Sequence, residues 1–288
     1  MSGVDIAIVG SGRVGTALGI LWQAAEHDVV AASGSERTDR RVREHLPETE
    51  FLSSREAAAR GEVVVIGVPD DAIGSVCGEI AGSLRVGQIV LHLSGSVPLD
   101  ALASARDAGA ETLSLHPLQT FPSVEAGVER MPGAPVAITA TDPRVAEVGS
   151  RLAEDAGGKP FPLDDEMKPL YHAAAVFTSN FMVTALAAAR ELFDAAGVPD
   201  GVQAMTPLAN ATLHNALTSD PISVLTGPAV RGDVGTVQRN LHALHDRAPE
   251  LVASYVVLSE AALALVGRSD RDPPASEDAV REVLAQWR

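Results

Sequence analysis

The first half of the chain alternates short, continuous apolar runs with amphipathic ones. "VDIAIVG" predicts a strand, "VGTALGILWQAAE" a helix, "DVVAAS" a strand, and "REAAARG" a helix leading into the strand "EVVVIGVP". "IVLHLSG" and "TLSLHPL" read as further strands, with "PVAIT" and "GKPFPL" extending the same sheet. Strands that are apolar throughout and separated by helices predict a mostly parallel sheet covered on both faces, the doubly wound α/β arrangement.

After Leu163 the period becomes helical. One long helix is expected from about Glu166 to Ala196, stopped by "GVP", another around Ala204 to Leu217, and a third around Val237 to Leu265. "RSDRDPPASED" reads as a solvated linker before a short helix ending at Trp287, and no internal repeat is visible. With 288 residues, 46% of them apolar, two modest cores are the natural division. The expected domains are 1–163, the sheet domain, and 164–288, an all-α domain.

Charge narrows the partners. A net charge of −16 opposes phosphate backbones and anionic bilayers, so neither nucleic acid nor membrane is expected. Cys77 is the only cysteine, which excludes an internal disulfide and suits a reducing compartment. The N-terminus has no basic, apolar, small-residue signal pattern. The expected location is the cytoplasm. The weakly polar run Ala173 to Ala189 carries Thr178, Ser179, Asn180 and Thr184 and reads as a helix buried in protein rather than lipid.

"VGSGRVG" places Gly10, Gly12 and Gly15 in a G-x-G-x-x-G pattern after a strand and at the start of a helix, the context of a dinucleotide fingerprint. The glycines allow a tight turn, close approach to a pyrophosphate and close helix packing. Ser11, Arg13 and Val14 complete the loop. The following strand ends in "VVAASGSERTDRR", where an NAD site usually carries a carboxylate for the ribose hydroxyl. Here Ser33, Ser35 and Arg37 stand instead, a set suited to a 2′-phosphate, so NADP (NADPH) is the expected cofactor. Arg40 and Arg41 either assist or form a solvated helix face. The sheet domain is accordingly read as an NADP-binding Rossmann domain.

Val68 and Pro69 end the fourth strand at the carboxyl edge, where ligands bind in such sheets. Asp70 is either part of that site or, more simply, the N-cap of the next helix, and Cys77 is a small core residue. "HLSGS" and "LHPLQTF" end two further strands at the same edge. Ser94, Gly95 and Ser96 offer hydroxyl and backbone donors there. His116 is a substrate contact or a core histidine, and Gln119 and Thr120 are polar in apolar company. Hydride delivery to a carbonyl or imine leaves an atom that needs a proton, so a lysine, histidine or tyrosine is wanted near the nicotinamide.

"KPLYHAAAVFTSN" carries the candidates. At about 100° per residue, Lys168, His172 and Ser179 fall within roughly 40° of one another, and Asn180 lies roughly 80° beyond His172. A rise of about 1.5 Å per residue separates Lys168 from Asn180 by roughly 18 Å and His172 from Asn180 by roughly 12 Å. That ranks His172, as acid, and Asn180, as orienting group, above Lys168, which is a site residue or a helix-start lysine. In "LTGPAVRGD", Gly227, Pro228 and Gly232 shape a loop that displays Arg231, either to clamp a substrate carboxylate or to pair with Asp233. His242 and His245 have helical spacing without a second ligand pair, so no metal site is expected.

Together "GSGRVG", "VPDDAI", "HLSGS", "SLHPLQTF", "YHAAAVFTSN" and "LTGPAVRGD" resemble the Rossmann-like oxidoreductases with a C-terminal domain of unknown function 2520, over nearly the whole chain up to about Val266. The resemblance implies kinship with 6-phosphogluconate dehydrogenase-like proteins, whose helical second domain usually forms a homodimer and completes the active site. Some members look like an alternative type of ketopantoate reductase, which implies a small carboxylate substrate, ketopantoate reduced to pantoate in pantothenate synthesis. The usual ketopantoate reductases carry a catalytic lysine with an asparagine one turn later; here Lys168 is followed by His172 and then Val176. Two alternatives stand beside this one: reduction of an imine, as in pyrroline-carboxylate reductase-like proteins, and an NADP-binding sensor without turnover.

Overall fold

The strands are β1 (Asp5–Val9), β2 (Asp28–Ser33), β3 (Glu50–Phe51), β4 (Val63–Ile66), β5 (Ile89–His92), β6 (Glu111–Pro117), β7 (Pro135–Ala140) and β8 (Lys159–Pro162), of which β1, β2, β4 and β7 are mostly valine, isoleucine and alanine. In the computed structural model, which describes residues 3–288, they make one eight-stranded sheet in the order β3-β2-β1-β4-β5-β6-β7-β8. The expected mostly parallel sheet is present. β1 to β6 are parallel, while β7 runs antiparallel to β6 and β8 follows β7. The reversal comes from the connection: Gly133, at φ +80°, turns the chain into β7 at the edge where β6 ends, and Leu118 N donates to Pro135 O at 2.8 Å.

Helices α1 (Arg13–Ala24), α2 (Glu36–His45), α3 (Ser54–Arg60), α4 (Ile73–Ile80), α5 (Ala103–Asp107), α6 (Val124–Arg130) and α7 (Pro143–Asp155) cover the sheet. Alternation along β1 shows the layering. Ile6 and Ile8 join a core with Leu18, Trp22 and Leu152, and Ala7 and Val9 join the opposite one with Ala57, Ile66, Ile73 and Leu102. Trp22 is fully buried, and its indole Nε1 donates to the Leu152 carbonyl at 2.8 Å, which ties α1 to α7.

The helical region departs from expectation in three places. The run Ala173 to Ala189, expected to be buried in protein, has no buried residue. The long helix is α8 (Lys168–Val176), a π turn over Phe177–Phe181, and α9 (Met182–Ala195). A π turn adds a residue to the helical repeat, so the regular 100° spacing between His172 and Asn180 does not hold. The expected helix from Val237 to Leu265 is two: α12 (Val234–Arg247) and α13 (Val252–Val266). Pro249 lacks an N–H and restricts Ala248, whose backbone leaves the helical region at φ −154° and ψ 59°, and the helix ends there. α10 (Gly201–Thr218), the short α11 (Pro221–Val224) and α14 (Glu277–Ala285) complete the chain.

The chain divides into two compact units, Met1–Thr178 and Ser179–Arg288. Strands cease near Leu163, as read from the sequence, but α8 stays with the sheet because Lys168 and Tyr171 are hydrogen-bonded to it. In the second unit, Val237, Leu241, Val256, Leu263, Val280 and Leu284 form a core among α12, α13 and α14. Asp165–Ala195 and Pro249–Val266 are long and apolar enough to cross a membrane by length and composition. Lys168 ties the opening turn of the first to the sheet, and the second gives Val252, Val256, Leu263 and Val266 to the helical core.

Candidate functional site

The glycine loop follows β1 as the fingerprint requires. Gly10 sits at φ +86°, and a Cβ there would lie 2.3 Å from Val68 Cγ1. A Cβ on Gly12 would lie 3.3 Å from the Gly67 carbonyl, and one on Gly15 would lie 3.1 Å from Ile8 Cγ2. Gly12 is the N-cap of α1 and supplies no side-chain acceptor to the first-turn N–H groups, which leaves them to an anion. Arg13 is exposed at the helix start and Val14 packs against the core. These features fit a dinucleotide pyrophosphate.

The neighbouring loop shows how Ser33 and Ser11 are held. Ser33 is buried, its hydroxyl facing Ser54 at 3.5 Å, while its carbonyl accepts from Gly10 N and Ser11 N at 3.0 Å each. Ser11 is also buried, with Oγ donating to Ser33 O at 3.2 Å. The Ser11 hydroxyl and the Ser33 carbonyl therefore shape the loop, and the Ser33 hydroxyl turns to α3. Ser35 and Arg37 are exposed at the start of α2. Arg41, which the sequence leaves between two readings, donates from Nη1 to the Ser11 carbonyl at 2.9 Å and so braces the fingerprint loop.

At the carboxyl edges of β4, β5 and β6 lies a connected polar group. Asp70 does not cap a helix: its Oδ2 accepts from Ser94 Oγ at 2.7 Å and from Ser96 Oγ at 2.8 Å. Ser94 Oγ accepts in turn from Ser96 N at 3.2 Å and Val97 N at 3.0 Å. Beneath it, Lys168 Nζ donates to the Ser94 carbonyl at 3.0 Å and to Ser114 Oγ at 2.6 Å. Lys168 is 1% exposed, and burial lowers its pKa to about 8 against the opposing pull of Asp165 and Asp70. Asp165 accepts Leu99 N at 3.0 Å, which joins the turn before α8 to the loop after β5.

Three histidines surround this group. His92 is fully buried and accepts Ser94 N at Nδ1, 3.2 Å; its Nε2 has no partner. Burial lowers its pKa to about 3. His116 is held to Tyr171 by a 2.9 Å contact between Nδ1 and the phenol oxygen, and burial lowers its pKa to about 4. Its ring lies on Gly95, where a Cβ would be 2.7 Å from Cε1. His172 packs edge-on to His116 with ring centroids 6.2 Å apart, and its Nδ1 is buried without a partner.

Of the residues read as catalytic, Ser94, His116, Lys168 and His172 are thus assembled in the first unit, while Asn180 and Arg231 belong to the second. Arg231 is exposed on its loop, and Asp233 turns to α12, accepting Thr236 N at 3.0 Å. Pro69 is exposed and Val68 covers Gly10. Gln119 and Thr120 bond to each other, Thr120 N donating to Gln119 Oε1 at 2.8 Å. Tyr171, His92 and Ser114 went unnoticed; only the position of Tyr171, three residues after Lys168 on one helix, hinted at any of them. Among the described residues, no cluster of His, Cys, Asp or Glu could hold a metal ion.

A Rossmann-like domain model matches residues 2–117, and the domain of unknown function DUF2520 matches residues 134–262. No curated protein matches the chain. Among solved structures, a candidate NADP oxidoreductase from Bacteroides fragilis is 24% identical with a TM-score of 0.79, covering 91% of this chain and 98% of its own. An imine reductase from Myxococcus stipitatus in complex with NADP+ is 15% identical with a TM-score of 0.67, covering 98% and 99%. A 1-pyrroline-5-carboxylate reductase from Streptococcus pyogenes is 16% identical with a TM-score of 0.61, covering 91% and 97%. At these identities the likeness is one of fold.

Proposed function

We propose that this chain, which belongs to the family joining a Rossmann-like domain to the domain of unknown function DUF2520, is an NADPH-dependent reductase of a small carbonyl or imine compound. One observation carries the reading: a glycine cradle fitted to a dinucleotide and a buried group of proton-bearing side chains share the carboxyl edge of the same sheet. The backbone of Gly10 to Gly15 holds the pyrophosphate, and Ser35 and Arg37 hold the 2′-phosphate, with no carboxylate at the end of β2 to repel it. Arg41 keeps the loop in shape through the Ser11 carbonyl. When bound, the dihydronicotinamide supplies a hydride to the substrate carbon.

The remaining work falls to the chain. The Ser94–Ser96 loop, fixed from below by Lys168 and from the side by Asp70, offers the Ser96 hydroxyl and backbone to the substrate. The proton comes from the group formed by His116, Lys168, Tyr171 and His172. Arg231, displayed on its own loop, suits a carboxylate.

The first substrate reading is a 2-oxo acid, with ketopantoate at its head, because Arg231 suits a carboxylate. The second is a cyclic imine, favoured by the likeness to an imine reductase and a pyrroline-5-carboxylate reductase. NADPH oxidation with ketopantoate beside a panel of cyclic imines separates them. Binding of NADPH with no turnover on any member would make the chain a sensor.

The same reading makes the protein a cytoplasmic homodimer. α10 contains no Asp, Glu, Lys or Arg, nor does α9 before Arg190, and Val183, Leu208, Leu213 and Leu217 on them are exposed. In a chain of net charge −16, that uncharged surface is where a second copy can approach without repulsion.

A further inference from the structure

Packing in the first unit separates the possible proton donors. Lys168 is 1% exposed, and its Nζ already donates to two protein oxygens, Ser94 O and Ser114 Oγ. It holds the loop from beneath and does not reach its outer surface. The Nδ1 of His172 is buried with no partner to pass it a proton. Tyr171 differs from both. Its ring is half-buried, set edge-on between Phe161 at 6.0 Å and His116 at 5.5 Å between centroids, and its phenol oxygen meets His116 Nδ1 at 2.9 Å. His116 in turn lies on Gly95 so closely that no side chain could grow there. A phenol is thereby held one imidazole away from the Ser94–Ser96 loop, with an ionisable partner behind it.

We infer that Tyr171 is the catalytic proton donor of the reduction and that His116 is the positioning residue that refills it. This rests on the reductase reading above. As the hydride reaches the substrate carbon, the electron pair of the double bond moves to the substrate oxygen or nitrogen. The Tyr171 O–H bond breaks and a new O–H or N–H bond forms on the product. The phenolate then takes the Nδ1 proton of His116, whose Nε2 takes one from solvent. The ring is left in its other neutral tautomer and returns to the first by exchanging protons with solvent before the next turnover, so one solvent proton is consumed per hydride, as the stoichiometry demands.

Burial keeps both partners in the states the step needs. The pKa of Tyr171 is pushed up to about 12 and that of His116 down to about 4, so between these limits the phenol stays protonated and the imidazole neutral.

The test combines the Tyr171→Phe and His116→Asn variants with two readouts. The chain has two tyrosines, Tyr171 and Tyr255, so the ultraviolet titration of wild type minus Tyr171→Phe isolates one phenol. That titration should move in His116→Asn, and an unmoved curve would show the pair uncoupled and overturn the assignment. The single-turnover rate of Tyr171→Phe should fall about 10²–10⁴-fold with NADPH affinity unchanged, and the wild-type rate should be flat across the neutral range. Full turnover in Tyr171→Phe, or a wild-type rate that falls with rising pH through the histidine range, would overturn this inference and leave the reductase reading standing. A wild-type protein that consumes no NADPH with any carbonyl or imine would overturn both. Should Tyr171→Phe fail to fold, the wild-type pH profile still decides.

Discussion

The ammonium of Lys168 and the carbonyl of Ser94 lie 3.0 Å apart across 74 residues of sequence, a buried lysine holding the loop on which the site is built. Burial lowers the pKa of this lysine in the folded chain from 10.5 to about 8. Between those values the unfolded chain carries a proton that the folded chain has released, so stability rises with pH across this window. The cost of the buried charge is fully present below about pH 8. Denaturation midpoints of wild type relative to Lys168→Met should therefore climb from pH 8 to 10.5. A difference that stays constant over that range would mean that Lys168 is not desolvated as described.

Gly95 is required by the His116 ring, since a Cβ would stand 2.7–2.9 Å from three of its atoms. Gly95→Ala must displace the imidazole from Tyr171. Overpacking of this kind costs about 1–3 kcal/mol, and the rate should fall with the lost contact. Thermal unfolding and turnover of the variant check both parts; an unchanged melting temperature with full activity would contradict the packing.

Arg37, in the first turn of α2, is proposed to hold the cofactor 2′-phosphate. Hydrogen bonds to charged groups contribute about 1.5–3 kcal/mol, so Arg37→Ala should raise the Kd for NADPH roughly 10–100-fold and leave NADH binding unchanged. Fluorescence titration with both cofactors measures it. Equal losses for both would place Arg37 elsewhere.

The uncharged α9–α10 surface should be an interface. Sedimentation of wild type should give a dimer, and Leu208→Asp with Leu217→Asp should give a folded monomer, because both leucines are exposed, at 67% and 75%. A monomeric wild type would remove this part of the account.

The parts of the fold legible in the sequence are those set by local rules. Gly10, Gly12 and Gly15 could be placed because a strand, a tight turn and a helix start leave their marks within a few residues. The strands up to β6, apart from the two-residue β3, followed from apolar runs. What stayed hidden depends on contacts distant along the chain. Asp70 has every local property of an N-cap, yet its carboxylate turns to Ser94 and Ser96. Ser33 looks like a phosphate ligand, yet it is buried, its carbonyl shaping the glycine loop and its hydroxyl facing Ser54. Tyr171 is not legible in the sequence, because an aromatic in an alanine-rich helix reads as packing and His116, its partner, lies 55 residues earlier. The π turn has no residue signature of its own, so the helical wheel beyond Val176 misjudged the phase of Asn180.

The most direct measurement of the central claim is the loss of dihydronicotinamide absorbance when purified protein meets NADPH with ketopantoate, and separately with cyclic imines, beside the same reactions with NADH. The account predicts steady NADPH consumption with at least one of these substrates, slower with NADH. NADPH that binds at the glycine loop and is not consumed with any of them would contradict it.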